Sequence, residues 1–136
     1  MSQTVELVDH QTSPHTPSPA YNRFLEAVAA LCKRRGVYAG VGDAFTPLLQ
    51  QAGIHHIQQR QFVLGQGKTD SETRRQQRLL SADAAAFVEH MQPVLTNPQL
   101  GYFSDVEYAG IIQQVKQELP ELGIVWPVVF CFGLKL

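Results

Sequence analysis

The sequence is 136 residues long, 44% hydrophobic and 17% charged, with 11 Lys and Arg set against 12 Asp and Glu. A chain of this length buries roughly two-thirds of its unfolded surface, so it needs neither disulfides nor a metal to fold. The apolar content excludes a wholly disordered chain, and a formal charge of -1 supplies no field for a phosphate backbone, which argues against nucleic acid as a partner.

Cys32 and Cys131 are the two cysteines. They fall inside a helical and a strand-like pattern and read as small buried hydrophobes in a reducing compartment. The N-terminal residues lack the basic region and apolar core of a signal peptide, and no apolar run reaches the roughly 20 residues that cross a bilayer. The expectation is a cytoplasmic protein with no membrane partner, folded as a single domain over residues 1–136.

Residues 4–8, Thr-Val-Glu-Leu-Val, alternate and are β-branched, which predicts a strand. A Pro-rich loop over 9–19 follows. Ser18 before Pro19 is a helix cap with proline at the first helical position. Tyr21, Phe24, Leu25, Val28, Leu31 and Cys32 then recur at helical spacing. Lys33, Arg34 and Arg35 complement the negative end of that helix, and Gly36 stops it.

The glycines at 36, 40 and 42 invite comparison with a cofactor loop. They follow a helix rather than a strand and do not fit G-x-G-x-x-G, so they read as a linker. Asp43 can cap a short helix carrying Phe45, Leu48, Leu49 and Ala52, closed by Gly53. Ile54 to Leu64 reads as a strand, and Asp70 or Ser71 opens a helical insertion over about 70–100 with Leu79, Leu80, Ala84, Phe87, Val88 and Met91 in helical register. Ser104 and Glu107 form a capping-box pattern ahead of Tyr108, Ile111, Ile112, Val115 and Leu119, and Pro120 is expected to end that helix. Val125 to Phe132 is almost continuously apolar, which predicts a central strand buried on both faces with a local interruption or bulge at Pro127.

Three segments carry a family resemblance: LCKRRG followed by FTPLLQQAGIHHIQQRQFVLGQG, the helix SDVEYAGIIQQVKQEL, and the closing WPVVFCFGLKL. Leu48, Leu49, Ala52, Gly53 and Ile54 match an LL-x-x-AG-[FI] helix end. Gly133 and Lys135, after Phe132, match a closing G-x-K. In this order they resemble the C-terminal half of a class I S-adenosylmethionine-dependent methyltransferase.

The resemblance implies an α/β fold: a partial Rossmann-like sheet of three mixed strands with an antiparallel last strand, plus the helical insertion. The last strand would lie between Val5–Val8 and Ile57–Leu64. It also implies a split or truncated enzyme that supplies substrate-side elements and is inactive alone. The family's glycine loop, ribose-binding carboxylate and strand-four contacts precede the matched region, so no residue here is assigned to cofactor binding. S-adenosylmethionine is expected only where a partner chain supplies the site. That partner would be a complementary N-terminal-half chain. A homodimer is the other expectation, because Val5, Leu7 and Val8 would lie on a strand edge that has lost its usual neighbour.

Candidate chemistry is sparse. His55 and His56 are adjacent, so on a strand they point to opposite faces and do not share a metal easily. His10 and His15 lie in the Pro-rich loop without a ligand cluster, and no metal site is expected. His90 is a weak acid–base candidate because the insertion covers the substrate in the family. Phe87, Met91, Tyr102, Phe103 and Tyr108 are candidates to line a pocket for an apolar small-molecule substrate, with core packing as the competing role. Asp105 and Glu107 are explained by capping. A non-catalytic, homo-oligomeric structural or small-ligand-binding α/β module is the alternative function.

Overall fold

A computed structural model of the chain describes residues 3–9, 14–36, 45–65 and 71–136. The elements are β1 (Gln3–Asp9), α1 (Pro19–Arg34), α2 (Phe45–Gln51), β2 (Ile54–Leu64), α3 (Ser71–His90), α4 (Gln92–Leu95), α5 (Asp105–Leu122) and β3 (Trp126–Lys135). They divide into two compact units: residues 1–14, 38–64 and 126–136 hold the strands and α2, and residues 15–37 and 65–125 hold the other helices.

In the sheet unit the strand order is β1-β3-β2, with β3 antiparallel to both neighbours, so the sheet is antiparallel throughout rather than mixed as expected. The expected central position of the last strand is observed. Leu7, Cys131 and Gln59 lie in one register row, and Glu6, Phe132 and Gln58 lie in the next row on the opposite face. Phe45 and Leu49 of α2 pack with Ile54, Val129 and Cys131, and Val5, Leu7 and Ile57 adjoin this cluster.

Two expectations for β3 need correction. Its burial alternates, with Pro127, Val129, Cys131 and Gly133 buried and Trp126, Val128, Phe130, Phe132 and Leu134 half-buried. Uniform apolarity therefore does not mean burial on both faces here. Nor does the β2 ladder break or shift register at Pro127, which pairs with Val63 between the pairs Phe62–Val128 and Leu64–Trp126. Among the described residues the β1 ladder reaches the pair Asp9–Val129.

The irregularity lies instead in β2, between His55 and Gln58, where His56 takes a φ of 53°. Gly133 faces this bulge. A Cβ there would sit 2.5 Å from Ile54 Cγ2 and 3.0 Å from the His55 carbonyl oxygen. The glycine of the closing G-x-K pattern is thus set by close approach of the neighbouring strand.

The helical unit is built on caps visible in the sequence. Ser18 accepts from the Tyr21 amide at 3.1 Å, and Pro19 occupies the first turn of α1. The Ser18 hydroxyl donates to Glu118 Oε2 at 2.6 Å, which ties the start of α1 to α5. Ser104 and Glu107 form the capping box of α5. That helix runs through Pro120 to Leu122, against the expectation that the proline ends it. Pro120 forgoes the bond its N–H would make to the Lys116 carbonyl, and Gly123 at φ 80° donates to the Leu119 carbonyl to close the end. Leu79, expected in the helical stripe, is 55% exposed, whereas its neighbours Leu80, Ala84 and Val88 are buried.

Candidate functional site

The aromatic residues singled out from the sequence belong to the packing of the helical unit. Phe24 is fully buried, with ring centroids 5.6 Å from Tyr21 and 5.3 Å from Phe87, the latter edge to face. Tyr108, also fully buried, meets Phe103 at 5.6 Å and donates its hydroxyl proton to the Val88 carbonyl. These are the centroid separations of ordinary aromatic pairs. Phe87, Met91, Tyr102 and Phe103 are half-buried. The guanidinium of Arg23 stands 5.8 Å from the centre of the Phe103 ring, within cation–π range. Burial pushes the Tyr21 and Tyr108 hydroxyls up to about 12. The Tyr21 hydroxyl is buried without a hydrogen-bond partner.

The histidines are dispersed. His90 is exposed at the end of α3, and His55 and His56 are exposed at the bulge of β2. His15 forms an isolated bridge with Val125 through two backbone hydrogen bonds of 2.8 Å. Among the described residues no group of three His, Cys, Asp or Glu could hold a metal ion. His10, Asp43 and the glycines at 40 and 42 lie outside the described residues. Cys32 and Cys131 are free, and Thr46 Oγ1 lies 3.8 Å from the buried Cys131 sulfur.

The association candidates Val5 and Leu7 are half-buried on the α2 side of β1, which among the described residues pairs with β3 alone. The Val8 side chain lies outside the description. The opposite edge strand, β2, ends in three consecutive exposed apolar residues, Phe62, Val63 and Leu64, at 52, 40 and 39% exposure. Sequence reasoning assigned these residues to a strand and missed their exposure. The signal available was the polar run Gln58 to Gln61 beside them, which marks an edge.

Whether the glycines could hold the methyl donor implied by the resemblance is a question of room. Gly65 is the described glycine that follows a strand and precedes a helix. Its Cβ position lies 2.6 Å from the Ile124 carbonyl oxygen and 2.7 Å from the Gln77 amide, so the space beside it is filled by the chain itself. Gly65 therefore leaves no space for a ligand at its Cβ position.

Open volume lies elsewhere. A cleft of about 590 Å³ between α3 and the C-terminal half of α5 is lined by Arg74, Arg78, Ser81, Ala85, Val115 and Lys116, among others. None of the pocket candidates from the sequence lines it. The signal that could have found it is the spacing of Arg74 and Arg78, one helical turn apart, ahead of the small residues Ser81, Ala82 and Ala85. No helix among the described residues is long and apolar enough to cross a membrane. The chain matches no protein-family model and no curated protein.

Proposed function

We propose that these residues form the C-terminal part of an S-adenosylmethionine-dependent methyltransferase-like fold and supply its substrate-side elements. The methyl-donor site would then come from protein outside the 136 residues, in the same polypeptide or on a second chain. The observation that carries this reading is the sheet order β1-β3-β2, with the last strand inserted antiparallel between two parallel strands. The close approach at Gly133 supports it, because it gives the closing G-x-K pattern a physical cause.

The test has two arms. Titration of the 136-residue chain with S-adenosylmethionine by calorimetry is expected to show no saturable binding. The same chain, affinity-purified from its native host with whatever it holds, is expected to bind the cofactor once per complex. A one-to-one micromolar isotherm with the chain alone overturns the reading. So does a host-purified sample that binds no cofactor.

The exposed Phe62–Leu64 strip favours a second reading, a homo-oligomeric module without catalysis. Light scattering on the purified chain and on Phe62→Ser separates the two. A stable dimer that Phe62→Ser dissociates, with no cofactor bound in either arm, selects the module.

A further inference from the structure

The cleft between α3 and α5 combines features that the packing of the helices does not use. Arg74 and Arg78 share one face of α3, and neither enters an ion pair among the described residues. Ser81 stands about one turn further along the helix. It is 7% exposed, and its hydroxyl is buried without a hydrogen-bond partner among the described residues, a cost the fold would normally avoid. Beyond it the wall becomes small and apolar, with Ala82 and Ala85 on α3 facing Val115. Lys116 lines the same cleft but is held by Glu89 in an ion pair, so this part of the wall carries little net charge. Glu121 is the carboxylate among the lining residues, one negative charge against two unpaired arginines.

From this arrangement we infer a binding site for an anionic amphipath, a single carboxylate head on a short aliphatic chain. The head sits against Arg74 and Arg78, where planar guanidinium groups match a carboxylate's two oxygens. The chain lies along Ala82 and Ala85, and the head end leaves an acceptor within reach of the Ser81 hydroxyl. From Arg74 to Ala85 the helix rises roughly 16 Å, long enough for a medium-chain acid. The cleft volume falls within the range of small-molecule sites, roughly 300–1,000 Å³. This inference stands on the helical unit alone and does not depend on the methyltransferase reading.

Decanoate is the probe, titrated into the whole chain by calorimetry, with decanol and decylammonium as controls for the head group. One saturable decanoate site is expected, at least ten-fold tighter than either control. Arg74→Gln with Arg78→Gln should weaken it about ten-fold, and Glu121→Gln should tighten it a few-fold by removing the opposing charge. Ala85→Phe, which fills the apolar part, should abolish binding. Each variant's circular dichroism and melting are compared with the parent, and Ser81→Ala serves as a conservative variant should Ala85→Phe fail to fold, with a few-fold loss expected. Absence of a saturable decanoate site overturns the inference. So does equal binding of decanol, or decanoate binding that the arginine pair leaves unchanged.

Discussion

The two units of this chain solve the burial problem differently. In the helical unit, Tyr21, Phe24, Ala84, Val88, Leu95, Tyr108 and Val115 are fully excluded from solvent, and the aromatic rings meet edge to face or tilted. In the sheet unit, a two-turn helix covers one face of three strands, and the core is Phe45, Leu49, Ile54, Val129 and Cys131. The helical unit therefore gains its stability from interdigitated large side chains. The sheet unit depends on backbone ladders and close strand contacts, and its β2 edge leaves apolar residues wet.

That contrast is sharpest in the response to truncation. Phe24→Ala removes a ring with no exposed surface and is expected to cost about 3–5 kcal/mol. Leu49→Ala, at the thin core of the sheet unit, should cost about 2–3 kcal/mol because its surroundings can collapse more easily. Urea midpoints of both variants check this. A larger loss at Leu49 than at Phe24 breaks the comparison.

Alkaline pH probes the helical unit selectively. Tyr21 and Tyr108 keep their protons to about 12 in the folded chain, against 10.0 for an exposed tyrosine. Between those values the unfolded chain binds fewer protons than the folded one, so stability falls as pH rises. The stability is fully present below pH 10 and is lost on the way to 12, by on the order of 2 kcal/mol for Tyr21 and less for Tyr108. Denaturant midpoints across this window, with tyrosinate absorbance read in parallel, measure it. Tyr21→Phe should flatten the alkaline slope at little cost at neutral pH, since its hydroxyl has no partner to lose. An unchanged slope would assign the alkaline loss to other groups.

A smaller effect tests the sheet unit at its tightest contact. Gly133→Ala places a methyl group against Ile54 and the His55 carbonyl and should cost about 2 kcal/mol through displacement of the bulge. Amide hydrogen exchange should then quicken in β2 and β3 while the protection of α5 is retained. Equal loss in α5 would mean that the two units do not respond separately.

How much of this could be read from the residues follows the range of the interactions. The capping box at Ser104 and Glu107, the Ser18–Pro19 start and the glycine stops are local, and the structure places them as the sequence predicts. The central position of β3 followed from apolarity together with the family resemblance. An interruption or bulge was expected at Pro127, which carries a visible local rule, whereas the register shift of the β2 ladder lies at His55–Gln58 and arises from pairing with a strand far along the chain. Pro120 misled for a similar reason, since a downstream Gly123 that caps well lets the helix outrun the proline. The candidate pocket residues failed as a group: aromatic content marks both cores and pockets, and here Tyr108 and Phe24 are core. The cleft stayed hidden because Arg74, Arg78 and Ser81 gain meaning only once α5 lies beside α3.

The amide of Gln77 gives the helical unit a further property. Its nitrogen donates to the carbonyls of Gly65 and Ile124 at 2.5 and 2.9 Å, and its oxygen accepts from the Ile124 amide at 2.9 Å. One side chain thus holds Gly65 and Ile124 together near the two ends of the long helical segment. In the sheet, Leu64 and Trp126, one residue before and two residues after that clasp, are register partners. Topologically, β2 and β3 are the arms of a hairpin, and the helices from α3 to α5 are threaded through its turn. An insertion with its ends pinned together in this way can lengthen, shorten or exchange its helices without altering strand register. Changes of length within those helices therefore leave the pairing of Leu64 with Trp126 in place.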